Sequence, residues 1–209
     1  MLPLKTKEKR ELLKWSKQNN PLMFLVLTMD GKWDTEYDDD ENVCVHFLKC
    51  WPAVKEELAK RGTPQDLDEI DMDYPDDDDL ASDALLDFIN LLYSMPDYFE
   101  GAKRYADGEA FCRDLLPLFI WDQTEIDELW GHIGFCLDRQ GRIAERDELF
   151  SSREMTETMA QYYSLCFLER GDADRAEEIM SPYKDSEDDV TEERFAWIDD
   201  IRRAGNNEE

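Results

Sequence analysis

Two histidines, His46 and His132, and five cysteines carry this chain's capacity for nucleophilic or thiolate-imidazole metal chemistry. His46/Cys50 and His132/Cys136 are each i, i+4 pairs, which on a helix places both side chains of a pair on one face. Two such pairs brought together would supply the two sulfurs and two nitrogens of a tetrahedral zinc site. No clustered C-x-x-C spacing accompanies them and each histidine has apolar neighbours, so both are expected to be structural and no metal is expected. The acidic stretch from Asp66 to Asp79 is rich in oxygen ligands but lacks the D-x-[DN]-x-[DN]-G run and twelfth-position Glu of a calcium loop. Phosphate-binding loops, dinucleotide glycine turns, nucleophile elbows and H-E-x-x-H helices are absent, so neither a catalytic set nor a cofactor is expected.

Charge narrows the function classes further. The 209 residues hold 52 acids against 24 bases, a formal charge of -28, which repels nucleic acid and anionic membrane at long range. The six tryptophans are therefore expected in the core rather than as base-stacking platforms, which work together with a positive groove. With 42% hydrophobic and 11% aromatic residues, the chain has the material for a packed core and is not a disordered acidic tail. The basic residues of positions 1–20 (Lys5, Lys7, Lys9, Arg10, Lys14, Lys17) outnumber Glu8 and Glu11, giving a basic first helix expected to dock on the acidic remainder, with an arm reserved for a partner as the alternative. The amino-terminal residues lack the apolar stretch of a signal peptide, and the longest wholly apolar run, Leu22 to Leu27, cannot span a bilayer. A cytoplasmic protein with reduced, buried cysteines is expected.

The elements that would position these residues are mainly helical. A helix over 4–18 is expected to stop at Asn19-Asn20-Pro21. The stretch 22–37 reads as a small β-hairpin turning at Asp30-Gly31, with a buried helix as the alternative for its apolar half. A helix over 42–61 ends at Gly62-Thr63-Pro64. Three parts are expected: an N-terminal unit over 1–62, an acidic linker over 63–79, and a helical domain over 80–209. Helices are expected at about 80–94, 97–106, 109–120, 123–139, 142–151, 155–169, 172–182 and 190–204, with Pro96, Gly108, Gly141, Gly171 and Pro182 at the joints.

The glycines also mark a repeat. Gly101 and Gly108 superpose on Gly134 and Gly141, and Gly141 on Gly171, defining three units. In the middle unit Trp130, Ile133, Gly134 and Leu137 precede Gly141, and Phe150 follows; in the last, Ala176 and Met180 follow Gly171. Over about residues 95–185 this resembles the tetratricopeptide repeat, with departures at Arg146, where the pattern has a small residue, and at Pro117. The resemblance implies an all-α stack of antiparallel helix pairs whose first helices line a groove that binds protein segments. Its groove positions here would be Glu128, Gly131, Phe135, Asp138 and Arg139, then Thr158, Gln161, Leu165, Leu168 and Glu169.

The function expected is a noncatalytic adaptor or chaperone-like module that binds another protein, a basic one, through that groove and an acidic surface. The second expectation is an acidic inhibitor, of the nucleic-acid-mimic, immunity or antidefence kind. DNA carries about one charge per 1.7 Å of axis, a density that an acid-rich surface can approach.

Overall fold

The computed structural model describes residues 6–30, 39–70 and 78–206, and within them the fold is all-α. The described residues form ten α-helices: α1 (Thr6–Asn19), α2 (Pro21–Asp30), α3 (Asp40–Arg61), α4 (Asp78–Gly101), α5 (Tyr105–Leu118), α6 (Gln123–Arg139), α7 (Ile143–Ser151), α8 (Glu157–Leu168), α9 (Ala173–Met180) and α10 (Asp189–Asn206). No described helix is long and apolar enough to cross a membrane. The chain divides into two compact units, Met1–Arg104 with Asp114–Trp121, and Tyr105–Arg113 with Asp122–Glu209, so α5 contributes to both. Helix α4, grouped with the repeats by its sequence pattern, packs with α2 and α3 in the first unit.

In the first unit, the break expected before Pro21 is a single residue wide. Asn20 sits between α1 and α2, and its Oδ1 accepts the Met23 N–H at 3.2 Å and an Arg61 N–H at 2.7 Å. Pro21 opens α2, where a missing N–H costs nothing. The expected hairpin is corrected here, because its first arm is α2. Leu22, Met23, Val26 and Leu27 are all buried, and a segment enclosed on several sides satisfies its backbone internally as a helix whatever its periodicity. The second arm, 31–37, lies outside the described residues. Asp39 caps α3 by accepting the Asn42 N–H at 2.8 Å, and Gly62 ends it with φ 95°.

Helix α4 also departs from expectation by running straight through Pro96. The loss of one backbone donor is outweighed by a continuous buried stripe on either side, Phe88, Leu92, Met95 and Phe99. Phe47 anchors this core, stacked on Trp51 at 5.3 Å and edge-on to Phe99 at 6.2 Å. The last turn of α5 and the residues after it close the unit. Asp114 accepts from Trp51 Nε1 at 3.0 Å and pairs with Lys55 at 2.5 Å, while Gln65 and Phe119 form an isolated bridge.

In the second unit the turn after α6 and the turn after α8 are the same object. In the first, the Arg142 N–H reaches Leu137 O and the Gly141 N–H reaches Asp138 O; in the second, Asp172 reaches Phe167 and Gly171 reaches Leu168. Both are Schellman caps around a left-handed glycine, with φ 75° at Gly141 and 76° at Gly171. The third turn expected at Gly108 is corrected, since Gly108 lies inside α5. The equivalent bond pattern occurs instead at the end of α4, where Arg104 reaches Phe99 and Lys103 reaches Glu100, and Lys103 takes the left-handed place with φ 56°. A lysine there bears a Cβ penalty that glycine lacks. Lys103→Gly is expected to stabilise the first unit by about 0.5–1 kcal/mol, because relief of that strain exceeds the extra entropy of an unfolded glycine. Urea denaturation measures it, and an unchanged or lowered midpoint would contradict it.

The helices joined by these glycine turns pack on one another, α6 on α7 and α8 on α9, so each pair is antiparallel. Helix α8 also packs on α6 and on α10, which places α6, α8 and α10 side by side, and α10 packs on α9. Adjacent-helix packing of this kind is compatible with helical repeats. Small residues make the crossings possible. A Cβ on Gly131 would fall 2.2 Å from the Tyr162 ring of α8, and one on Gly134 would fall 2.4 Å from the Phe150 ring of α7. Ser164 and Ala176 are fully buried at the corresponding depth in the second pair. Phe150 cannot yield easily, being 1% exposed and stacked on Tyr163 at 4.3 Å. Gly134→Ala is expected to destabilise this unit by about 1–3 kcal/mol, the usual range for overpacking, and Phe150→Leu in the same chain should recover part of it. Additive losses in the double variant would show that the two residues do not share the crossing.

Candidate functional site

The seven residues singled out as partner-binding all lie on α6 and α8 or just past the end of α8. The structure gives them different roles. Phe135 is 1% exposed and packs edge-on to Tyr105 of α5 at 6.3 Å. Gln161 is buried under the start of α10, where its Nε2 donates to Asp188 at 2.7 Å and to Thr191 Oγ1 at 2.9 Å. Arg194 of α10 donates to the Gln161 carbonyl at 3.4 Å. Helix α10 therefore covers the expected groove position at Gln161. Arg139 and Glu169 form an ion pair that ties the end of α6 to the end of α8, and the Arg139 guanidinium lies 5.7 Å from the Tyr105 ring centre and 5.3 Å from that of Phe135. Glu128 and Leu165 are half-buried. Burial pushes the Glu128 carboxyl up, with Glu125 and Asp122 adding to the effect, so a cation brought beside it would be attracted.

Asp138 is the centre of a buried network. Its side chain is 1% exposed, and Oδ1 accepts both from Arg146 of α7 and from Arg170 at the end of α8. Arg146 is the residue that replaces the small side chain of the repeat pattern. It fits because its charge is met on two sides, by Asp138 and by Asp147 Oδ1 at 2.7 Å, while its plane lies 4.9 Å from the Phe167 ring centre. Tyr163 donates to the same Asp147 oxygen at 3.1 Å. One carboxylate thus joins the first pair to the second, which is a positioning task rather than a chemical one.

His132, one of the two histidines weighed for metal and nucleophilic chemistry, is engaged in the same manner. His132 shares a 2.9 Å hydrogen bond with Tyr162 OH, its ring centre 4.7 Å from that of Tyr162, and burial lowers its pKa to about 4. The imidazole is neutral at pH 7. Burial, assisted by Asp138, pushes the Cys166 thiol up to about 12, and burial pushes Cys112 well above the ordinary thiol range, which makes both poor nucleophiles. Asp127 is held by Gln123 at 2.8 Å and by Thr156 at 2.8 Å, linking the start of α6 to the cap of α8.

Sequence reasoning missed the buried network because it treated Arg146 only as a departure from a pattern. The signal was present in the i, i+8 spacing of Asp138 and Arg146 across a three-residue turn, which brings them opposite one another when the helices fold back. In the first unit an open cleft of about 860 Å³ lies where Thr63, Pro64 and Gln65 pass Ile120, with Asp66 and Glu69 on its rim. Comparison with protein-family models, with curated proteins and with solved structures found no match.

Proposed function

We propose that this chain is a noncatalytic, cytoplasmic protein-binding adaptor or chaperone-like module, built on tetratricopeptide-like helix pairs and selective for a basic partner. The observation that carries the reading is the repeated unit itself: two helix pairs closed by the same left-handed glycine cap, with α6, α8 and α10 side by side. Such a face offers side chains from several helices to one extended or helical segment. Glu128, Leu165 and the Arg139–Glu169 pair are the parts of it that keep exposed surface. The noncatalytic part of the proposal is supported by the engagement of His132, Asp138 and Asp127 in neutral or saturated contacts that hold helices together. A net charge of -28 steers a basic partner toward this body and speeds association at low salt.

A second reading, an acidic inhibitor that mimics nucleic acid, draws on α10. Asp189, Glu192, Glu193, Asp199 and Asp200 are all solvent-exposed along this one helix. The two readings separate in one experiment. Capture from native lysate is compared for the wild-type chain, for Glu128→Lys with Leu165→Asp, and for a form with Asp189, Glu192, Glu193 and Asp199 neutralised to amides. Loss of the captured protein in the first variant and retention in the second supports the adaptor. The reverse pattern supports the inhibitor and overturns the adaptor reading.

A further inference from the structure

In the second unit one arginine stands apart from the ion pairs that engage its neighbours. Arg139, Arg142, Arg146, Arg170 and Arg202 each hold one or two carboxylates. Arg153, exposed just past the end of α7, holds none: among the described residues its guanidinium has neither an ion pair nor a hydrogen bond. It lies instead on Trp130 of α6, the guanidinium carbon 3.5 Å from the ring centre. That is van der Waals contact, so the group is stacked on the indole and its N–H donors project along the ring plane, not into it. Arg113 of α5 lies against the same indole at 5.9 Å and is bound through Nε alone, to Glu109 at 2.9 Å. The terminal nitrogens of Arg113 and the indole N–H of Trp130 also meet no acceptor among the described residues. Two guanidiniums and an indole thus hold free donors together in a chain with more than twice as many acids as bases.

We infer that Arg113, Trp130 and Arg153 form a receptor for a single carboxylate, an Asp or Glu side chain or a chain terminus, presented by the protein partner. This rests on the protein-binding reading and adds a register point to it. A partner that is basic overall is drawn in by the acidic surface and then aligned by one acid of its own received at this spot. The spot suits one planar monoanion. A stacked guanidinium offers paired N–H donors to the two carboxylate oxygens, and the indole beneath holds its plane in place. The strong net negative charge of the chain and the adjacent Glu109 and Asp127 disfavour a polyanion such as nucleic acid. Burial disfavours the Arg153 charge and Arg113 repels it, against a smaller favourable effect of Asp127, so an incoming anion relieves an existing cost.

The test uses the full chain, labelled with nitrogen-15, with the Trp130 indole N–H assigned by Trp130→Phe. Titration with N-acetylglutamate, at concentrations in the millimolar range suited to so small a ligand, is expected to shift the Trp130 indole and Arg153 Nε signals saturably. N-acetylglutamine, which keeps the backbone carboxylate and loses the side-chain one, separates the two carboxylates, and N-acetylglutamine amide, lacking both, should give no shift. Arg153→Gln should weaken binding about tenfold or more, with helix content unchanged by circular dichroism. No shift with N-acetylglutamate, or a shift that survives Arg153→Gln, would overturn the assignment. A larger saturable shift with inorganic phosphate than with the carboxylate would replace it with a phosphate site. The titration reads this spot alone, so its failure leaves the proposal for the α6, α8 and α10 face standing, and loss of that proposal leaves the titration interpretable.

Discussion

Asp138→Asn is expected to destabilise the second unit by about 1.5–3 kcal/mol, because the buried Arg146 loses one of its two carboxylates and keeps only Asp147. The substitution preserves size and planarity, so little of the loss is packing. What changes is that Arg146, 3% exposed in its side chain, loses the carboxylate that meets it from α6. Arg170 suffers less, because 42% of its side chain is exposed and water can replace the lost contact. Since the unit as a whole is held by no more than the usual few kcal/mol, roughly 5–15 for a domain, the single amide consumes a large share of its stability. The pair-deleting variant Asp138→Leu with Arg146→Met should be much closer to wild type, because a buried ion pair and a well-packed apolar pair of similar volume are often nearly equivalent. Hydrogen exchange of α6 and α8 amides in the full chain reports the change. A loss below about 1 kcal/mol for Asp138→Asn would show that solvent reaches the pair.

The second large effect is on pH dependence. His132 in the folded chain titrates at about 4, below the ordinary value of 6.5, because the protonated ring would have to be charged inside the α6–α8 contact. Between those two values the unfolded chain holds a proton that the folded chain does not. Stability attributable to His132 is therefore fully present above about pH 6.5, falls as the pH is lowered toward 4, and changes no further below it. The full span corresponds to about 3 kcal/mol. His132→Gln keeps a partner for Tyr162 OH and removes the titration, so the slope of stability against pH between 4 and 6.5 should flatten by roughly that amount. An unchanged slope in the variant would assign the acid sensitivity to other groups.

These expectations depend on features of unequal visibility in the sequence. Helix α6 was legible to the residue, because Asp122 and Glu125 form a capping box at its start and Gly141 stands in the turn after its end. The glycine turns at 141 and 171 were equally plain, since only a residue free of Cβ adopts φ near 75° without strain. Lys103 shows why the third turn was not: the same cap was formed by a residue that carries no conformational signature, and Gly108 nearby was a decoy inside α5. Pro96 misled in the opposite direction, because the buried stripe that overrides a proline is a property of the packed core and not of the local sequence.

What covers the groove positions on α6 and α8 was not legible. Repeat spacing groups Phe135, Asp138 and Gln161 as groove positions, yet Phe135 packs on α5, Asp138 pairs with Arg146 of α7, and Gln161 lies under α10. Spacing within a helix says which residues share a face; it carries no information on which distant element will cover it. The Arg153–Trp130 stack is another such case, since Trp130 reads as an ordinary core position of the repeat until the neighbouring helices bring two arginines to it.

The most direct test of the central claim, that the face of α6, α8 and α10 binds a protein segment, is site-specific photocrosslinking in the native cell. A photoreactive phenylalanine analogue is placed at Glu128, at Leu165, or at Glu178 on the exposed side of α9. Covalent capture of one common protein from positions 128 and 165, and not from 178, is the predicted result. Capture from 178 alone, or from none of the positions while the chain remains folded, would contradict it.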